Sequence, residues 1–463
     1  SAGDSSACAL CLVPVPSPPL VVAVPRLLAM ASRAFLATSL AVRQSGRGSA
    51  RPFARLLSSP SAAAAPLPPV DGPVAAWLLG SGGLVAGMVA VGGLTRLTKS
   101  GLSMTDWKPL GRMPPITHPE WLEEFERYKT FPEWQQRQSM TLDEFKYIFW
   151  WEYGHRMLGR CVGVAFGVPL AYFWARGRLP PHIKSKVLAL FGLGATQGAI
   201  GWWMVQSGLD MDPKQRKEIR VSPYRLATHL GMAFTTYTLL LWTAMDVLYP
   251  RERAMRHLDA IPKQLLPQVS RVRGASVATA AIVFTTAMSG AFVAGNDAGR
   301  AFNTFPKMDD QWVPDGILEL EPTWRNAFEN TALVQLDHRI LAAVSSTSVL
   351  STYAFARSNA AVWQALAPTS RIALNGMLGM LGVQVSLGIS TLLLYVPVEL
   401  ASCHQVGSLA LLTFATWSAH SLRLASLSTA PVALAGATAL AAPLMVAGLS
   451  SSPKPTSTMG MQK

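Results

Sequence analysis

The chain has 463 residues, of which half are hydrophobic and only 14% are charged. Several apolar stretches are about as long as the ~20 residues that cross a bilayer, which argues against a water-soluble globular protein. Runs of this length must be helical, because lipid offers no partner for free backbone groups. About a third of the formal net charge of +14 lies in the first 65 residues, which contain six Arg and one Asp, so the charge says little about nucleic-acid binding.

Residues 1–65 differ from the rest of the chain. They place six arginines among serine and alanine, with no acid between Asp4 and Asp71. This pattern predicts a mitochondrial transit peptide that is removed. Met30 is a candidate for the natural start of the protein, in which case residues 1–29 do not belong to it. A plastid transit peptide and a disordered tail stay open as alternatives.

Eight apolar segments predict an all-α polytopic membrane protein with two pseudo-symmetric four-helix bundles. The segments are 74–94, 147–174, 187–206, 224–248, 277–294, 331–355, 372–396 and 401–422. The first bundle covers 74–249, a basic loop covers 250–274, and the second bundle covers 275–422. A variable tail, 423–463, contains an apolar run, 431–449, that is open to three interpretations: a ninth span, an interfacial segment or disorder.

The two halves carry an internal repeat. Residues 152–156, Glu-Tyr-Gly-His-Arg, resemble 335–339, Gln-Leu-Asp-His-Arg, and the third and seventh segments share Gln-x-x-x-Gly at 197–201 and 384–388. Four helices per unit return the chain to the side of the membrane where it began. The second copy is therefore expected to have the same orientation as the first, related to it by an axis along the membrane normal.

Four histidines lie a few residues inside the second, fourth, sixth and eighth segments: His155, His229, His338 and His404. These segments run in one direction, so the four side chains are expected at one depth near one membrane surface. Neutral imidazole is an axial ligand of haem iron, and two facing helices can place one imidazole on each side of a porphyrin. The pattern predicts two haem sites. The alternative is a hydrogen bond between helices at each histidine, which the paired repetition disfavours.

Charged residues lie near the first histidine of each half: Glu152 and Arg156 near His155, and Arg339 near His338. Arg156 and Arg339 directly follow them and are expected to pair with haem propionates or, equally, with lipid phosphates. Glu152 lies three residues before His155, where the second half has Gln335. Because a carboxylate accepts a proton and an amide does not, Glu152 is a candidate catalytic residue and the first pocket the reactive one. A glutamate that merely lies in an interfacial aromatic belt is the alternative.

Charge in the loops predicts orientation. The 176–186 and 251–273 connections are basic, whereas 297–329 is acidic. By the positive-inside rule, the basic loops face the matrix and the histidines lie toward the intermembrane space. Cys161 and Cys403 lie within apolar segments and lack the spacing of a metal site or disulfide framework.

Four motifs carry a resemblance to a known family. They are Gly92 to Trp107, Glu152 to Arg160, Ser289 to Gly299 with Asn303 to Met308, and Gln335 to His338. Together they resemble the mitochondrial haem A synthases, from about residue 74 to 422. The resemblance implies oxidation of the C8 methyl group of haem O to a formyl group, which makes haem A for cytochrome c oxidase.

The resemblance also implies roles and partners. His155 and His229 would flank haem O or haem A as substrate and product, His338 and His404 would hold a permanent haem b, and Glu152 matches the family's important acid. A ferredoxin-type electron donor, haem O synthase, cytochrome c oxidase assembly factors and lipid of the mitochondrial inner membrane are the implied partners. A homo-oligomer is left open. The sequence contains no fingerprint for NAD, flavin or ATP.

The chain departs from the family at one point, since bacterial members often carry a cysteine pair in the first external loop and 95–146 has none. A role for thiols is therefore doubtful. Two other functions compete: a bis-histidine cytochrome b that only carries electrons, and a transporter. Carriers usually place haems near both membrane faces, and transporters place sites at mid-membrane on broken helices. Histidines near one face disfavour the carrier, and no pair of Gly/Pro-interrupted segments at corresponding positions of the two halves supports the transporter.

Overall fold

The computed structural model describes residues 70–104, 106, 108, 110–209 and 219–425. Among them no strand forms, and the one extended pairing is an isolated bridge between Met308 and Gln311. Eight long helices are α1 (Gly72–Leu97), α2 (Leu142–Ala175), α3 (Pro181–Leu209), α4 (Pro223–Leu248), α5 (Leu266–Gly295), α6 (Thr331–Arg357), α7 (Pro368–Leu393) and α8 (Val398–Ser421). They coincide with the eight predicted segments. The predicted transit peptide and the apolar run at 431–449 lie outside the described residues.

Helices α2, α3 and α5 each begin at least five residues before the apolar segments that predicted them, and α2 and α5 show why. Helix α2 begins at Leu142 because Thr141 and Glu144 form a reciprocal cap, in which the Thr141 N–H donates to Glu144 Oε2 at 2.7 Å. Helix α5 begins at Leu266, with Pro267 in its first turn, and includes the basic residues Arg271 and Arg273. Capping in α2 and backbone propensity in α5 continue the helix beyond its apolar part, which hydropathy alone does not register.

Five helices of the described part are long and apolar enough to cross a membrane: α1, α2, α3, α7 and α5, the last counted from Lys263. Helices α4, α6 and α8 have 26, 27 and 24 residues, which is a sufficient length, but they are more polar. Helix α6, for example, contains Ser345, Ser346, Thr347 and Ser348 in succession. These three helices carry His229, His338 and His404.

The helices of each half pack in the same pattern. In the first half, α1 contacts α2 and α4, and α3 contacts the same two helices. In the second half, α5 contacts α6 and α8, and α7 contacts the same two helices. The halves meet where α1 packs on α8 and where α4 packs on both α5 and α8. Each histidine-bearing helix therefore lies between two helices of its own half.

Helices α4 and α8 run parallel and in register. Tyr237 Oη lies 2.8 Å from Thr413 Oγ1, and His420 Nε2 lies 2.9 Å from Asp246 Oδ1, at sequence separations of 176 and 174. The numbers of His229 and His404 differ by 175 (404 minus 229), so these two histidines lie at the same level. The opposite ends of the helices are tied together through Asp246, to which Lys186 of α3 also donates, at 2.6 Å.

At the histidine end, the loop from α1 to α2 folds onto the start of α2. It contains the helix His118–Lys129, which packs Trp121 and Phe125 against Phe145 and Phe149. The corresponding loop from α5 to α6 is organised by Asn326, whose amide accepts from the Leu320 N–H at 2.9 Å and donates to its carbonyl at 2.8 Å. The two loops enclose the end of the molecule where the histidines lie.

Candidate functional site

The histidines of the second half face each other. The ring centroids of His338 and His404 are 6.5 Å apart, and the ring planes are inclined by 85°. Imidazole nitrogens bind a metal at about 2 Å, so two rings on opposite sides of one metal ion place their centroids roughly 6 Å apart. The spacing of this pair therefore fits bis-histidine ligation of one iron atom, the arrangement predicted from the sequence.

The histidines of the first half are also brought together. His155 on α2 lies close enough to His229 on α4 for the two rings to interact electrostatically. Within the described residues, no group of three or more His, Cys, Asp or Glu side chains is arranged to hold a metal ion. Each half contains one pair of histidines, and a pair of imidazoles is sufficient for haem, whose porphyrin supplies the four remaining ligands.

One glycine on the third helix of each half makes room for an imidazole. A Cβ atom placed on Gly201 would lie 3.0 Å from Cε1 of His229, and one placed on Gly388 would lie 2.9 Å from Cε1 of His404. Side-chain carbons do not normally approach so closely, so the ring would have to move. The glycines of the two Gln-x-x-x-Gly motifs therefore determine where these rings lie.

The first helix of each half supplies the other two glycines. A Cβ on Gly92 would lie 3.2 Å from Nε2 of His155, and one on Gly290 would lie 3.3 Å from Cε1 of His338. All four histidines thus contact a glycine on the preceding long helix. The sequence analysis did not identify this role, because the contact joins residues on different helices.

The glutamines of the two motifs hold the backbone beside the histidines. Gln197 Nε2 donates to the His229 carbonyl at 3.0 Å, and Gln384 Nε2 donates to the His404 carbonyl at 3.0 Å. Helix α3 is thereby fixed to α4, and α7 to α8, at the level of the imidazoles. The sequence pattern indicated a repeated unit, and the structure gives its function: the glutamine sets the height of the helix, and the glycine accommodates the ring.

Substitution at one of these glycines tests the arrangement. Gly388→Ala is expected to displace His404 and, if the pair binds haem as the sequence predicts, to remove most of the low-spin haem signal of the second half. Gly382→Ala on the same helix is the matched control, since a Cβ there meets nothing within 4 Å. Alanine favours helix over glycine by about 1 kcal/mol, so the control should be as stable as wild type or more so. Absorption spectra of the purified variants measure both, and equal haem signals would contradict the steric argument.

Glu152 is buried, with 3% of its surface exposed, and its carboxylate accepts from Arg156 Nε at 2.5 Å. The corresponding amide, Gln335, is also buried, and its Oε1 has no hydrogen-bond partner in the described part of the chain. The two halves therefore differ in charge at equivalent buried positions.

Arg156 and Arg339 both bind backbone carbonyls of the preceding loop. Arg156 donates to the carbonyl oxygens of Met104, at 2.6 Å, and Asp106, at 3.0 Å. Arg339 donates to four carbonyl oxygens of its loop, and the shortest of these bonds is to Thr304, at 2.6 Å. Each arginine thus secures a loop over its half of the molecule. In the first half these contacts border a small basic cleft, lined by Met104, Asp106, Lys108, Gly111, Arg112, Tyr153, Arg156, Met157 and Arg160. The sequence analysis missed Arg112 and Arg160.

Comparison with known families connects this geometry to a protein family. Residues 75–416 match the family described as cytochrome oxidase assembly protein. The chain belongs to this family. The match contains all four histidines, their glycines and Glu152. The similarity to this family that the motifs predicted is therefore confirmed.

Members of the cytochrome oxidase assembly protein family from distant organisms are similar over most of their length. Heme A synthase COX15 of Arabidopsis thaliana is 48% identical over 354 residues, which are 76% of this chain and 74% of the relative. The human Heme A synthase COX15 is 45% identical over 382 residues, 82% of this chain and 87% of the relative. A bacterial Heme A synthase, from Nitrosospira multiformis, is 44% identical over 359 residues, 76% and 94% of the two chains.

Proposed function

We propose that this protein is a haem A synthase, which oxidises the C8 methyl group of haem O to a formyl group. The observation that carries the proposal is the pairing of four histidines at one end of the molecule, with the His338–His404 pair at a spacing that fits one iron atom. Relatives named Heme A synthase in plants, animals and bacteria, at 44–48% identity, support it. The haem A formed would serve cytochrome c oxidase.

The eight long helices are proposed to span the membrane as two four-helix bundles. Support comes from the identical packing pattern of α1–α4 and α5–α8 and from the parallel register of α4 and α8. Helices α4, α6 and α8 need less lipid-facing apolar surface in this arrangement, because their polar sides face other helices. This explains why they are less apolar than the other five.

The halves are assigned different tasks. His155 and His229 are proposed to bind haem O and haem A, and His338 and His404 a resident haem b, which would supply one-electron transfer. Glu152 is buried beside the first pair, and the second half has the amide Gln335 at the equivalent position. Its proposed role is to accept a proton as the methyl group is oxidised, while Arg156 balances its charge.

The arginines that secure the loops are proposed to contact the haem propionates as well. In the first half, Arg112, Arg156 and Arg160 line one cleft, so a carboxylate entering it would meet several guanidinium groups. In the second half, Arg339 Nε is buried without a hydrogen-bond partner in the described residues, which leaves a donor for a propionate. Loop closure and haem binding would then depend on the same side chains.

The protein is proposed to lie in the mitochondrial inner membrane with its histidines toward the intermembrane space. A protease site inserted at Lys263, an exposed residue of the basic connection, is then expected to be protected in intact mitoplasts. A site inserted at Glu126, whose side chain is 67% exposed on the first loop, should be cleaved. Immunoblotting of the fragments measures both. The reverse pattern would overturn the orientation.

Formation of the product tests the proposed function. Expression of the chain in cells that make haem O but no haem A should produce haem A, detected by chromatography of extracted haems. A bis-histidine electron carrier would leave haem O unchanged, which would contradict the proposal. Four predictions about partners remain: the ferredoxin-type donor, haem O synthase, the assembly factors and a homo-oligomer. Co-purification from mitochondria can test them.

A further inference from the structure

Ser289 contacts His338 in a way that determines which ring nitrogen carries the proton. Its Oγ lies 2.7 Å from the Thr286 carbonyl oxygen and 2.7 Å from Nδ1 of His338. A carbonyl oxygen has no proton, so at this distance the serine hydroxyl donates to Thr286. Oγ is left to accept from His338, which must carry its proton on Nδ1. The lone pair of Nε2 is then free to bind iron.

Gln197 imposes the opposite arrangement on His229. Its Nε2 donates to the His229 carbonyl at 3.0 Å, which identifies this atom as the amide nitrogen, and the same atom lies 3.2 Å from His229 Nδ1. The remaining amide proton points to Nδ1, so Nδ1 accepts and Nε2 carries the ring proton. To bind iron through Nε2, His229 must shift this proton to Nδ1, and the Gln197 amide must turn. Its Oε1, buried without a partner in the described residues, can then accept.

The hydroxyl is specific to the second half. Ser289 directly precedes Gly290, which contacts His338, and Val91 directly precedes Gly92, which contacts His155. At the equivalent position, the first half therefore offers an aliphatic side chain with no hydrogen-bond acceptor. At the other histidine of each half the glutamines are alike in their backbone bond, since Gln384 donates to the His404 carbonyl as Gln197 does to that of His229. The halves differ there in the ring contact: Gln197 lies 3.2 Å from His229 Nδ1, whereas His404 Nδ1 has no hydrogen-bond partner among the described residues.

We infer that Ser289 is a positioning residue that keeps His338 permanently ready to bind iron, whereas Gln197 holds His229 in a form that binds iron only after rearrangement. The second half thereby retains its haem, and the first half can take up and release one. This inference rests on the proposed assignment of haem b to the second half and of substrate haem to the first. Outer-sphere hydrogen bonds of this kind typically change metal affinity by about 10–100-fold.

The test measures how fast haem b leaves the purified full-length protein for an excess of apomyoglobin. Ser289→Ala is expected to release haem b roughly 10–100-fold faster and to raise its reduction potential, because the imidazole donates less electron density without an acceptor at Nδ1. Ser289→Thr keeps the hydroxyl and should behave like wild type. Ser418→Ala is the control, since Ser418 makes the same type of backbone bond, to Ala415 at 2.9 Å.

Release of haem b from Ser289→Ala at the wild-type rate would overturn the inference. A second variant, Gln197→Glu, tests the other half and is informative even if Ser289→Ala does not accumulate in cells. It provides an acceptor at His229 Nδ1 and should increase the amount of haem O or haem A that co-purifies with the protein. No increase would contradict the role of Gln197. Absence of haem b from the wild-type protein would refute the proposed function itself, so the two failures are distinguishable.

Discussion

Replacing His338 or His404 by methionine is expected to remove or strongly alter the low-spin haem b signal of the purified protein. The pair is spaced for one iron atom, so each change exchanges one axial imidazole for a thioether and shifts the potential upward. Potentiometric titration with absorption spectroscopy measures both effects. The haem b signal should be lost almost completely in a variant whose methionine sulfur does not reach the iron.

The matching changes at His155 and His229 are the control. They should leave the haem b signal largely intact and instead weaken retention of haem O and haem A. Gel filtration and helix content of all four variants show whether the fold is preserved. Equal loss of haem b from all four variants would show that the two halves are assigned wrongly.

Replacing Glu152 by Gln is expected to separate chemistry from binding. The variant reproduces the residue that the second half has at Gln335, keeps the side-chain volume, and can still accept the hydrogen bond from Arg156. It removes only the charge and the ability to take up a proton. Haem A should fall by roughly 10²–10⁴-fold while haem O or a partly oxidised intermediate accumulates and haem b remains. Chromatography of extracted haems beside the haem b spectrum gives the measurement.

Two results would count against a catalytic role for Glu152. Normal haem A with normal protein would mean that the carboxylate is dispensable, and joint loss of haem and protein would mean that it is structural. Glu126→Gln is the matched control. Glu126 also lies at the histidine end and pairs with Lys129 at 2.6 Å, but its side chain is 67% exposed, so its neutralisation should leave haem A unchanged.

The positions of the helices follow from the sequence, because apolar length is a strong signal in a membrane chain. The ends were less predictable. Thr141 extends α2 by capping, and α5 continues through Arg271 and Arg273, since helix formation tolerates the polar residues that end an apolar run. The less apolar α4, α6 and α8 were nevertheless among the eight segments predicted from the sequence, although the candidate membrane spans of the described part are the other five.

The site was predictable where the repeat carried it. His155 and His338 occur in similar motifs, so their equivalence was visible, and Glu152 was recognised because Gln335 breaks the pattern. The contacts of Ser289 with His338, and of the glycines with the rings, join residues on different helices, so no local pattern indicates them. The loop carbonyls bound by Arg156 likewise depend on how the loop folds back, which periodicity does not describe.

Extraction of the haems from purified wild-type protein tests the central claim most directly. With two histidine pairs that serve different purposes, the protein should contain haem b in near-constant amount together with haem O or haem A in an amount that varies with the supply of haem O. When apomyoglobin is added to take up released haem, haem O or haem A should leave the protein before haem b. Haem b alone in every preparation, or one haem distributed equally over both sites, would contradict the account.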